Sequence, residues 1–207
     1  MNPVYHFGIS QHTPEWYAMR AGKWTASNAA TIMGGLDTKG LDDLVRTVAW
    51  ERVFGATDEP RYQSAAMTRG NEMEAEAREW TAFNTDSVIT ECGFVQHAEH
   101  YSAGWSPDGL HSNTRGIEIK CLLHKAYLDV MLKREVPSEY RWQCRWAMWV
   151  GRLSGLDFVV YHPKPGGLVI PVEPDTSLDS QMAERVETLE KRVVALVEKI
   201  NNSRSVA

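Results

Sequence analysis

The chain has 207 residues, of which 43% are hydrophobic and 24% charged, with a formal net charge of −5. This describes an ordinary globular chain, long enough for one domain over residues 1–207 with a substantial core. There is no uninterrupted apolar run of about 18 residues, so no membrane span is expected. Met1 to Ser10 lacks the basic flank and apolar run of a signal peptide, which makes the cytoplasm the expected compartment. Cys92, Cys121 and Cys144 are odd in number and widely spaced. They suit neither a disulfide framework nor a zinc site and read as small buried hydrophobes. The net acidity counts mildly against a nucleic-acid partner, although a local basic groove can sit on an acidic protein.

In chain order, Thr13-Pro14-Glu15 predicts a capped helix to about Arg20. Ser27 is read as the cap of a second, short helix ending near Gly34-Gly35. Leu41 to Phe54 has helical apolar spacing, Gly55 to Arg61 reads as a loop, and Ala65 to Phe83 as a long helix. Strands are expected at Ser87–His97, Tyr101–Trp105 and Gly116–Cys121, joined by turn-rich Ser106–Gly109 and His111–Arg115. Helices follow over Lys125–Lys133 and, capped by Ser138, to Val150. A closing strand pair covers Asp157–His162 and Gly167–Val172. An amphipathic helix spans Asp175–Ile200, with a tail expected to fray. The order gives a helical part over about 1–85, a sheet with flanking helices over about 86–173, and a C-terminal helix over about 175–201. The expected fold class is α/β, with a mixed central sheet flanked by helices.

The segment that carries chemistry is Ser106-Pro107-Asp108-Gly109 followed by Gly116-Ile117-Glu118-Ile119-Lys120-Cys121. On a strand, Glu118 and Lys120 share one face, while Ile117, Ile119 and Cys121 point to a core. A Glu-x-Lys pair alone is most often a solvated strand face of little energetic weight. Asp108 changes that weighing. It sits in a tight turn before a short hairpin leading into the Glu118 strand, so the two carboxylates can share one divalent ion. Lys120 beside that ion suits positioning a water or stabilising charge on a phosphate.

This is the pattern of the PD-(D/E)XK nuclease superfamily, and three further stretches sharpen it. Trp16–Ser27 (WYAMRAGKWTAS), Arg69–Arg78 (RGNEMEAEAR), Ser106–Gly109, Glu118–Lys120 and Tyr140–Trp149 (YRWQCRWAMW) occur in one order. Together they resemble the phage lambda exonuclease family, the YqaJ-like viral recombinase nucleases, over about Trp16 to His162. The resemblance implies a PD-(D/E)XK nuclease-like core and a Mg²⁺-dependent exonuclease, with Mn²⁺ as a substitute. Such an enzyme digests one strand of double-stranded DNA from a 5′-phosphorylated end and leaves a 3′ overhang. It also implies a ring-shaped homotrimer and a single-strand annealing protein as partner.

By the same resemblance Asp108, Glu118, the Ile119 carbonyl and Glu74 hold metal, Lys120 is catalytic, and Gln143 lies near the attacking water. Arg20, Ser27 and Ser106 hold the 5′ phosphate, a role that suits an arginine fork and hydroxyls. Read without the family, Glu74 is one acid on a solvated helix, Gln143 satisfies a backbone group, Ser27 is a cap and Arg20 a surface charge. Lys39, in the Gly34–Gly40 loop, stands where the family has a basic residue touching DNA, and Met67 is the nearest match to an apolar wedge. His97, His100 and His111 are not spaced as a zinc site and read as surface or groove residues. Two rival readings remain: a related endonuclease, and a non-catalytic DNA-binding accessory protein of recombination.

Overall fold

A computed structural model describes residues 1–56, 65–112 and 114–205, with the backbone alone for 65–68, 70, 71 and 112. Most of the expected Gly55–Arg61 loop and the Met67 side chain lie outside the described residues. Among the described residues, eight strands form two four-stranded sheets. The first contains β1 (Val4–His6), β2 (Trp24–Thr25), β3 (Phe94–Gln96) and β4 (Ala103–Trp105), in the order β1-β3-β4-β2. The second contains β5 (Gly109–Ser112), β6 (Arg115–Lys120), β7 (Gly155–His162) and β8 (Gly166–Val172), in sequential order. Both are mixed. In the second sheet β5–β6 and β7–β8 are antiparallel, while β6 and β7 run parallel with Glu118 opposite Phe158. A parallel pair needs a crossover, and α5 (His124–Lys133) and α6 (Ser138–Gly151) supply it.

The expected mixed sheet flanked by helices is therefore present, with a smaller sheet beside it that the sequence reading did not separate. Its strands β1 and β2 are three and two residues long, too short to leave a period-2 signal. The Ser87–His97 strand is corrected to Phe94–Gln96 plus an isolated bridge from Thr90 to Leu110. Val88 is exposed, so no buried face selects extended pairing there.

α6 is the wall shared by the two sheets. It buries Cys144, Trp146, Ala147 and Val150, and Trp146 donates its indole N–H to the Gly104 carbonyl of β4 at 3.2 Å. Its opposite side carries Gln143 toward β6. The other face of the second sheet is covered by α4 (Ala65–Asn84), where Ala77 packs with Ile117, Ile119, Val159 and Tyr161. The strand alternation read from the sequence thus holds: Ile117 and Ile119 enter that core, and Glu118 and Lys120 face the other way.

The helical N-terminal part forms for the local reasons expected, with two corrections. Thr13 caps α1 (Pro14–Arg20) by accepting from the Trp16 N–H. Ser27 is not a cap. It lies inside a 3₁₀ turn (Ala26–Asn28) before α2 (Ala29–Ile32), and neither element has a side-chain cap. Lys39 is not in a loop, because α3 (Lys39–Phe54) starts there, capped by Thr38. Ser138 is the first residue of α6 and not its cap. The C-terminal helix α7 runs from Asp179 to Ser205, past the point of expected fraying, after a separate 3₁₀ turn (Thr176–Leu178).

α7 packs along α3, and one ion pair ties both to the first sheet. Arg52 NH1 and NH2 each donate at 2.7 Å to one oxygen of Glu190, and the buried Trp24 indole donates to the same carboxylate at 2.6 Å. Arg52 Nε also donates to the carbonyl of Gly22, whose φ of 71° favours glycine, and an added Cβ there would meet Arg52 Cγ at 2.6 Å. Burial pushes the Glu190 carboxyl up, but the hydrogen bonds from Arg52 and Trp24 outweigh it and hold the group below the usual carboxylate range. A depressed folded pKa contributes stability above the ordinary value near 4.5 that is lost as pH falls through the folded value. Glu190→Gln should therefore cost about 1–2 kcal/mol near pH 7, allowing for partial exposure. Urea melts at pH 7 and below pH 4 check this (about the ordinary carboxylate value): the gap to wild type closes in acid, and an equal gap at both pH values refutes the assignment.

Candidate active site

β6 delivers Glu118 to the interface with α6, at 1% exposure. One of its oxygens, Oε1, is crowded: Lys120 Nζ donates to it at 2.6 Å and Gln143 Nε2 also donates to it. The other, Oε2, is buried with no hydrogen-bond partner. Asp108 arrives from the turn before β5, and its Oδ2 accepts the Ile119 N–H at 2.6 Å. Glu74 reaches the same place from α4, with Oε1 held by Arg78 at 2.7 Å. The structure thus brings together the five residues Asp108, Glu118, Lys120, Gln143 and Glu74, from a turn, a strand and two helices.

The electrostatics of this cluster are those of a place where three acids outnumber the two cations beside them, Lys120 and Arg78. Burial pushes the Asp108 carboxyl well above its usual range, and the carboxylates of Glu118 and Glu74 add to the rise. Glu74 is raised by its own burial, against the pull of Arg78 and His12. Burial acts to lower the Lys120 ammonium, but Glu118 and Asp108 beside it hold it above its ordinary value. Its Nζ also stands 5.3 Å from the centre of the Tyr140 ring.

The donor set fits a divalent cation. Carboxylate oxygens are the ligands hard cations prefer, Glu118 Oε2 is an open buried acceptor, and a cation relieves the repulsion between the acids. Among the described residues no three acidic, His or Cys side chains already stand at ligating geometry. Glu74 is engaged by Arg78 instead, so Asp108 and Glu118 are the ready pair.

A second cluster adjoins the first. Arg20 NH1 donates to Ser106 Oγ at 2.8 Å, and its NH2 stands 3.4 Å from Ser27 Oγ. The guanidinium lies 4.4 Å from the centre of the Trp16 ring, and the Trp16 indole donates to Ser106 Oγ and the Gly93 carbonyl. Arg20, Ser27 and Ser106 come from α1, the 3₁₀ turn and the loop after β4, yet they converge. Ser106 is two residues from Asp108, so one short turn links both clusters.

Other residues fall elsewhere. His97, expected as a surface or groove residue, is buried: it is 4% exposed, its Nδ1 accepts the Glu99 and His100 N–H groups, and its ring lies 4.3 Å from that of Trp149. Burial, with His100 and Arg152 adding, pushes it down to about 4. His100 is half-buried beside the same Trp149 ring. His111 is mostly buried, with Nδ1 2.8 Å from Ser87 Oγ and Nε2 2.9 Å from Asp157 Oδ2. Exposed Lys39 belongs to neither cluster in any described contact. Sequence reading missed Arg78 and Gln11. Arg78 carried a signal, the Glu-x-x-x-Arg spacing that pairs side chains one helical turn apart; Gln11 carried none.

A site of packed like charges costs stability until a cation fills it. Asp108→Asn keeps an acceptor for the Ile119 N–H while removing one charge. In EDTA it should melt higher than wild type, by on the order of 1–2 kcal/mol or roughly 2–8 °C. Added Mg²⁺ should raise the wild-type melting temperature more than that of the variant. A lower melting temperature for the variant in EDTA would show that the acids do not strain the fold.

A family model of the YqaJ-like viral recombinase domain matches residues 15–156. Comparison with curated proteins gives no match. Among solved structures the chain is similar to an alkaline exonuclease (LHK-Exo) from Laribacter hongkongensis, at 27% identity and a TM-score of 0.84, covering 93% of this chain and 98% of that one. The structure of LHK-Exo in complex with dAMP gives 28% identity and a TM-score of 0.84, over 94% of this chain and 100% of that one. A phage related exonuclease from Haemophilus somnus 129PT shares the fold, at 16% identity and a TM-score of 0.60, over 86% and 96% of the two chains. The family match takes in all the residues of both clusters, and on that ground this chain belongs to the YqaJ-like viral recombinase family and is a nuclease with a role in recombination.

Proposed function

We propose that the protein is a Mg²⁺-dependent exonuclease, with Mn²⁺ as substitute, that degrades one strand of double-stranded DNA in the 5′-to-3′ direction from 5′-phosphorylated ends. The observation that carries this reading is the pairing of two clusters on one turn. Ser106 belongs to an anion-binding group with Arg20 and Ser27, and Asp108 to the acidic group. Two residues of chain span at most about 7 Å, a reach that suits one nucleotide between a held terminal phosphate and the bond to be cut. An endonuclease has no need of a terminal anion site at that distance.

Asp108, Glu118 and, by family resemblance, the Ile119 carbonyl and Glu74 are the residues that would hold the cation. When bound, such an ion neutralises charge on the phosphate and lowers the pKa of a coordinated water. The protein's own contribution is geometric. Lys120 and Gln143, both anchored on Glu118 Oε1, orient a water for in-line attack. Lys120 also places a positive charge beside the phosphate as negative charge builds on it. Arg20, stiffened by Trp16 and joined by the Ser27 and Ser106 hydroxyls, holds the 5′ phosphate and sets the register of each step.

The wider role follows from the chemistry of the product. Stripping one strand from its 5′ end leaves a 3′ single strand, the substrate of a single-strand annealing protein, which is the proposed partner. The proposed assembly is a ring of three chains around the DNA, in the cytoplasm of a bacterial host and in the service of phage recombination. Sedimentation should give about three chains per particle; a clean monomer at working concentration removes the ring.

The deciding assay uses a linear duplex with one 5′-phosphorylated and one 5′-hydroxyl end, beside a closed circular control. With Mg²⁺ the strand at the phosphorylated end should shorten, circles should stay intact, and EDTA should stop the reaction. Lys120→Ala should lower the rate about 10²–10³-fold and leave folding and DNA binding in place. Arg20→Ala should abolish the preference between the two ends. Cut circles would replace the exonuclease reading with an endonuclease, and undiminished cleavage by Lys120→Ala would remove that residue from the chemistry.

A further inference from the structure

Arg78 has no part in the mechanism above, yet it touches both acids that do not come from the strand. It lies one turn after Glu74 on α4. Its Nε donates to the main-chain carbonyl of Asp108 at 2.8 Å, and its NH2 donates to Glu74 Oε1 at 2.7 Å. Its NH1 stands 3.1 Å from Glu91 Oε1. The Arg78 side chain is 17% exposed and that of Glu91 74%, so the Glu91 contact is screened by solvent and the first two are the strong ones. On the neighbouring peptide, Gln11 Nε2 donates to the Pro107 carbonyl at 2.7 Å. Consecutive carbonyls of the Asp108 turn are therefore held by side chains from two distant segments. Both side chains line a cavity of about 390 Å³ that Glu74 and Asp108 also line.

We propose that Arg78 is a positioning residue of the nuclease reaction, fixing the Asp108 turn and Glu74 in one geometry relative to Glu118, with Gln11 as a second hold on the same turn. The inference rests on the acidic cluster being the site of cleavage. Its physical basis is that the β5–β6 pairing, with Gly109 opposite Ile117, brings the Asp108 turn beside Glu118, but no strand pairing ties Glu74, on a helix, to either of them. Like charges in a shielded place drive them apart. A planar guanidinium presents donors in fixed directions and can bridge a carbonyl and a carboxylate at once. A lysine at the same position keeps the charge and loses the bridge. Losses of about 10–100-fold in metal affinity or activity are typical when such outer partners of a ligand are removed.

The test compares wild type with Arg78→Lys. Three quantities are read: Mn²⁺ affinity of the DNA-free protein by calorimetry, kcat and KM on the linear duplex, and affinity for DNA ends in EDTA. The expected pattern is a drop of about 10–100-fold in Mn²⁺ affinity and in kcat, with KM, end affinity and melting temperature close to wild type. General damage to the fold would lower end affinity and melting temperature together. That result, or Mn²⁺ affinity and kcat within about twofold of wild type (a change of less than half a kcal/mol), overturns the proposal. Should Arg78→Lys not fold, Gln11→Leu releases the Pro107 carbonyl alone. It should lower kcat by about tenfold at unchanged KM, the low end of that range, and an unchanged kcat overturns the clamp. If wild type cuts no DNA in any metal, the nuclease mechanism falls, while the Mn²⁺ affinities still decide whether Arg78 positions the acids.

Discussion

A carboxylate at 1% exposure, with one oxygen carrying two donors and the other carrying none, is the constraint around which the second sheet is organised. Burying the polar carboxyl group of Glu118 inside the protein demands partners within hydrogen-bond reach. Lys120 is available because it is two residues on, on the same strand face. Gln143 is available because α6 crosses directly over β6. The parallel pairing of β6 with β7 is what forces that crossing, since the connection between parallel strands has to pass over the sheet. The fold therefore places a helix over the buried acid as a consequence of strand direction.

The same helix ties the site to the rest of the molecule. Its apolar side is packed with Trp146, Ala147 and Val150, and through the Trp146 bond to Gly104 it holds β4 against the second sheet. β4 in turn leads into the loop carrying Ser106, Pro107 and Asp108. The two clusters are thus separated by two residues of chain but positioned by different halves of the structure. Trp16, Arg20 and Ser27 come from the smaller sheet and its helices, and Glu118 and Lys120 from the larger one. Tryptophan is used here for position as much as for burial: Trp16 and Trp24 each spend the indole N–H on a polar group that fixes a distant segment.

Function and stability pull in opposite directions at this place. Three acids converge here, burial disfavours the charge of Asp108 and Glu74, and the positive groups nearby, Lys120 and Arg78, are both committed to specific oxygens. Such an arrangement is destabilising by itself and has to be carried by interactions elsewhere. The Arg52–Glu190–Trp24 junction and the α3–α7 packing are where the structure provides that support, far from the chemistry.

Much of this could be read in the chain beforehand, for identifiable reasons. Glu118, Lys120 and the opposing Ile117 and Ile119 were legible because a strand's period of two is a local property, and Asp108 because a Pro-Asp-Gly turn before a hairpin is local too. α1 was legible from its capping residues, α3 from apolar spacing and α4 from its helix-favouring composition. Strands β1 and β2 were not, being two or three residues stabilised by partners some 80 to 90 positions away. The burial of His97, read as a surface or groove residue, was not legible because it depends on the Trp149 ring, which belongs to another element. The convergence of Arg20, Ser27 and Ser106, the open oxygen of Glu118, and the hold of Arg78 and Gln11 on the Asp108 turn are all contacts between segments. Local chemistry and periodicity are written in the order of residues, so the sequence by itself determined the reactive groups and the faces they occupy. Distances between elements depend on how packed surfaces meet, and only the tertiary structure decided which of those groups share a site.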